Sequence, residues 1–96
     1  SVIVELEVPT ATQLTASIYP NPFRGEAHLG YTTVQPATIQ ITLFDARGRE
    51  VETLYEGWQP AGSHTLRLPA ALASGVYYVR VRQDQHTVTA SAIRVD

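Results

Sequence analysis

Residues 75–82 alternate with a period of two, so that Tyr77, Val79 and Val81 fall on one side and Tyr78, Arg80 and Arg82 on the other. Aromatic and β-branched residues suit a pleated surface that is half in a core. The stretch therefore predicts a strand with one apolar and one charged face, reached through Gly75, a residue free to take positive φ. Other alternating rows flank it. Leu14, Ala16 and Ile18 form one, Ala27, Leu29 and Tyr31 the next, and Ile39, Ile41 and Leu43 a third against Thr38, Gln40 and Thr42. Further along, Val51 opens a strand over residues 51–55, and His64, Leu66 and Leu68 alternate up to Pro69.

The last row breaks its period. Val88, Ala90 and Ala92 lie on one side but Ile93 and Val95 on the other, which predicts a bulge near Ala92 in a final strand over residues 86–95. Loose register in that strand also predicts an edge open to a partner strand. Between strands the punctuation is plain. Tyr19-Pro20-Asn21-Pro22-Phe23 turns a corner, because prolines bar both a helix and a ladder. Asp45-Ala46-Arg47-Gly48 reads as a hairpin turn with Gly48 left-handed. Residues 56–62 read as loop, residues 69–74 as one helical turn between Pro69 and Gly75, and residues 83–85 as a tight turn.

About seven short strands with no sustained helical period predict an all-β fold, an immunoglobulin-like antiparallel β-sandwich. Residues 14–96 make that domain. Residues 1–13 carry a strand pattern, Val2, Val4, Leu6 and Val8, that stops at Pro9, followed by a polar connector. Two readings stand for them: the end of an upstream domain with its linker, or the first strand of this one.

At 96 residues the chain builds one small two-layer core. It has no cysteine, which removes disulfides and thiolate metal sites, and no methionine, which predicts a processed chain or a piece of a longer one. A formal net charge of -2 speaks against nucleic acid and anionic membranes as partners. No run approaches the roughly 20 apolar residues of a transmembrane segment, and the start lacks the basic region of a signal peptide.

Chemistry is sparse. His28, His64 and His86 lie in separate strands without a second ligand at metal spacing, so no metal site is predicted. Glu5 and Glu7, and Glu50 and Glu52, are solvated strand faces rather than acid/base pairs, and no nucleophile elbow or phosphate loop is present. The expectation is no enzyme, no catalytic residue and no cofactor. Trp58, Phe44 and Tyr78 fit either sugar stacking or ordinary packing, with a loop tryptophan capping the core as the plainer reading. Arg80 and Arg82, with Arg67 on another strand and Arg94 near the carboxyl end, mark a docking surface if they cluster without acidic partners.

Taken in series, Ile18-Tyr19-Pro20-Asn21-Pro22-Phe23, the strand ending at Asp45 with Arg47-Gly48-Arg49-Glu50-Val51, Gly57, Ala61-Gly62-Ser63-His64 and Leu72-Ala73-Ser74-Gly75-Val76-Tyr77-Tyr78 form a pattern. In it the chain resembles the carboxy-terminal sorting domain, type A, of cargo proteins of the type IX secretion system of Bacteroidota-like bacteria. The resemblance implies a label at the carboxyl end of an exported cargo, folded in the periplasm in transit and recognised by an outer-membrane translocon. It implies cleavage by a surface sortase, here within or before residues 1–13, and a cargo bound for the cell surface or the medium. Tyr19, Pro20, Asn21, Pro22, Gly48, Gly62, Gly75, Val76 and Tyr77 are then structural motif residues, and Ile93, Arg94 and Val95, with Arg80 and Arg82, carry recognition. The family usually ends in basic residues around apolar ones, whereas this chain ends Ala92-Ile93-Arg94-Val95-Asp96. The competing reading is an immunoglobulin- or fibronectin-like spacer, or a carbohydrate-binding accessory module of a secreted enzyme.

Overall fold

The computed structural model describes residues 14–96, so the two readings of residues 1–13 lie outside the described residues. Seven strands follow in chain order: β1 (Thr15–Tyr19), β2 (His28–Thr33), β3 (Ala37–Asp45), β4 (Glu50–Gln59), β5 (Gly62–Arg67), β6 (Gly75–Gln83) and β7 (His86–Arg94). They make two antiparallel sheets, β1-β2-β5 and β4-β3-β6-β7. This is the predicted all-β sandwich, and its strand order is immunoglobulin-like, with β4 added beside β3.

Every inward row read from the alternation lines the space between the sheets. Leu29, Ile39, Ile41, Leu43, Val79 and Val81 are fully buried, and Leu14, Ile18, Phe23, Ala27, Tyr31, Leu68, Tyr77, Ala90 and Ala92 complete the core. The row Tyr77, Val79, Val81 ends in a buried polar residue, Gln83, whose Nε2 donates to the Gln35 carbonyl at 3.2 Å. That bond ties the turn between β2 and β3 to β6.

The hairpin at Asp45 forms as expected. Gly48 has φ 84° and donates its N–H to the Asp45 carbonyl at 2.9 Å, while Asp45 Oδ1 accepts from the N–H groups of Arg49 and Arg47 at 3.0 and 2.9 Å. Those backbone donors, Arg49 first, hold the Asp45 carboxyl below its ordinary value.

Three expectations about the strands and turns are corrected. Residues 56–59 are strand rather than loop, because the pairs Thr38 with Trp58 and Gln40 with Glu56 carry the ladder on to Gln59. Residues 69–74 form no helical turn; Leu72 instead packs on the core from an irregular segment. No bulge occurs in β7, which pairs in unbroken register from Gly75 with Arg94 to Gln83 with His86. Register shifts fall in the edge strand β4 instead, at Leu54 and Val51, where extra residues cost the sheet less than they would at its centre. Ile93 is simply left facing outward, 47% exposed.

Candidate functional site

The outer edge of β7 defines the site. Pairing to β6 uses alternate residues of β7, so the other set, Thr87, Thr89, Ser91 and Ile93, turns its backbone groups away from β6. From Ser91 onward those groups are taken. The Asn21 side chain acts as a surrogate peptide, its Nδ2 donating to the Ser91 carbonyl and its Oδ1 accepting from the Ile93 N–H, both at 3.1 Å. Phe23 continues the ladder in parallel: its N–H donates to the Ile93 carbonyl and its carbonyl accepts from the Val95 N–H, both at 2.9 Å. β7 is the sheet edge that the sequence predicts, and it is closed only over its last residues, by the corner that follows β1.

Sequence explains why the corner can do this. Pro20 and Pro22 have no N–H to leave unpaired, and Phe23 drops a large ring into the core, where it is 1% exposed. Upstream, Tyr19 lies over Gly30, where a Cβ would sit 3.1 Å from its ring, and stacks on His28 at 5.9 Å between centroids. His28 and Arg67 in turn share Glu26, at 3.2 and 3.1 Å.

The two residues predicted beside Ile93 are drawn into this closure. The Arg94 guanidinium lies 5.9 Å from the Phe23 ring centroid, its Nη1 donates to the Val95 carbonyl, and its Nε is buried without a partner among the described residues. Val95 is half-buried.

A second predicted motif proves to be an anchor. The Tyr77 hydroxyl donates to the Ala73 carbonyl at 2.7 Å, pinning the approach to β6 from four residues downstream. This is the tyrosine corner of immunoglobulin-like sandwiches. Gly62 and Gly75 open β5 and β6 with positive φ, and Val76 is the first outward residue of β6.

Outward residues of the four-stranded sheet gather at that same end. Val76 pairs with Ile93, Tyr78 follows on β6, and Phe44 pairs with Tyr78. Val76, Tyr78 and Ile93 are 37%, 38% and 47% exposed. Arg80 covers Phe44 at 4.8 Å from its centroid and makes no ion pair among the described residues, and Arg82 continues the row away from the apolar end. The sequence missed Val76, Tyr78 and Phe44 as companions of Ile93, because cross-strand pairing, not spacing, brings them together. Trp58 does not cap the core; it is 61% exposed on β4.

Among the described residues no three or more histidine, cysteine or acidic side chains gather where a metal ion would be held, and no helix is long and apolar enough to cross a membrane. Burial, with Tyr55 close by, pushes the Tyr31 phenol up, against the hydrogen bond it accepts from Gln59 Nε2 at 3.2 Å. Such a group stays neutral and serves packing.

A two-sheet immunoglobulin-like domain whose first-strand corner clasps its last strand defines a class of structural and recognition modules, and sandwich alone does not separate its functions. The family model of the secretion system C-terminal sorting domain matches residues 17–95, and the chain belongs to that family, a type IX secretion sorting signal. The matched span runs through both sheets and every motif described above. No curated protein matches the chain.

Proposed function

We propose that the outward face formed by Val76, Tyr78, Ile93, Phe44 and Arg80, with Arg82 beside it, docks on the outer-membrane translocon of the type IX system. The supporting observation is that this family member exposes contiguous apolar and aromatic side chains at the end of the sheet where its last strand is clasped. Exposed apolar patches of this kind mark interaction surfaces, and aromatic residues with arginine are the side chains that dominate them. Arg94 and Val95 serve recognition by holding Ile93 in place through the Phe23 clasp. The domain crosses the periplasm folded, and a surface sortase separates it from its cargo within or before residues 1–13, leaving the cargo on the cell surface or free.

The test appends residues 1–96 to a signal-peptide-bearing reporter in a type IX-competent host. Export of the reporter is expected, with a drop of at least tenfold for Ile93→Asp and for Arg80→Glu while the folded signal of the purified domain is unchanged. Undiminished export of both variants removes the face from the pathway, and failure of the parent fusion removes the sorting role itself.

A further inference from the structure

At the opposite end of the same outward face the chemistry changes from apolar to polar. Thr38 and Gln40 on β3, Glu56 on β4, Arg82 on β6 and Asp84 in the β6–β7 turn line a groove of about 260 Å³. That is smaller than the roughly 300–1,000 Å³ of pockets that enclose drug-sized ligands, and of a size for one ring. Gln40 pairs directly with both Glu56 and Arg82 across the ladders, so an amide, a carboxylate and a guanidinium stand abreast on three strands. Asp84 is held in place at φ 53°, the one non-glycine residue with positive φ among those described.

Two observations single this groove out. Several polar side chains elsewhere are engaged, Asn21 on β7, Glu26 on Arg67 and His28, Asp45 on its turn and Gln59 on Tyr31. Among the described residues the side chains of Thr38, Gln40, Glu56, Arg82 and Asp84 take no protein partner, so directional donors and acceptors converge unspent. At the margin stands Trp58, paired with Thr38 and two residues from Glu56 on the same face, with 61% of its surface exposed. An indole left in water is a large apolar plane with no packing role.

A flat aromatic plane beside carboxylate, amide and guanidinium groups is the complement of a pyranose ring. The C–H face of the sugar stacks on the indole, and vicinal hydroxyls donate to Glu56 and Asp84 and accept from Gln40 and Arg82. A hydrophobic peptide would leave those charged groups unpaired on burial. We propose that the groove beside Trp58 binds a pyranoside saccharide, at the end of the sheet away from Ile93 and sharing with the docking face only Arg82.

Trp58 is the sole tryptophan, so its emission reads the site directly. The 96-residue chain is titrated with cellohexaose, N-acetylchitohexaose and mannohexaose. A saturable change in emission is expected with at least one, and its apparent affinity should fall tenfold or more in the double variant Gln40→Ala, Glu56→Gln, which keeps the fluorophore. Trp58→Ala should abolish the heat of binding of that saccharide in calorimetry. No saturable response to any of the three, or a response untouched by the double variant, overturns the proposal; Ile93→Asp should leave binding unchanged.

Discussion

Single side chains in this domain act by completing backbone pairing that the strands leave unfinished. Tyr77 is the clearest case, since its phenol is buried and its hydroxyl satisfies the Ala73 carbonyl. Tyr77→Phe keeps the ring and leaves that carbonyl without its donor, so it should destabilise the domain by about 1–2 kcal/mol, read as a lower urea midpoint with unchanged slope. Asp45 works through charge. Its folded carboxyl titrates below the unfolded value of about 3.9, so its contribution is present above that pH and is lost as pH falls through the lowered value. Asp45→Asn should therefore flatten the fall in thermal midpoint that the parent shows below about pH 4; an unchanged profile would show that the turn does not use the charge.

At the scale of elements, the decisive contact joins a corner to a strand 70 residues away. Asn21 supplies two hydrogen bonds to the outer edge of β7, and Asn21→Ala removes both without touching the core. The expected loss is about 1–2 kcal/mol, with faster amide exchange at Ile93 and no change at the β3–β6 ladder. Removing β7 is a different experiment. Ala90 and Ala92 line the core and β6 pairs with β7 along its whole length, so deleting residues 85–96 should unfold the domain, seen as loss of its cooperative thermal transition. Export lost by that deletion would report folding rather than recognition, which is why point variants on the outward face carry the functional test. The corner was legible as a corner, because proline chemistry is local. Its partner was not, because an asparagine that imitates a peptide has no periodicity to betray it.

For the whole molecule, the two-sheet arrangement places opposite chemistries at the two ends of one outward face, Val76, Tyr78 and Ile93 at one and Trp58, Glu56 and Gln40 at the other. Phe23→Ala separates stability from recognition at this scale. It empties a core position that is 1% exposed, at a cost of about 3–5 kcal/mol against a total of about 5–15 for a domain of this kind. Its export should fall in step with its folded fraction, whereas Ile93→Asp should fall with the fold intact. By itself the sequence determined the inward rows and the Asp45 hairpin, because alternation with period two records which side of a strand meets water and turn chemistry is local. It also carried the family resemblance, since motifs in fixed order need no coordinates. Only the tertiary structure decided which strands are neighbours, and with that the closure of the β7 edge by Asn21 and Phe23, the pairing of Val76 with Ile93 and the placing of the Arg94 guanidinium over the Phe23 ring. Those depend on contacts between residues far apart in the chain, whose energies come from shape and pairing in space and leave no mark on local spacing.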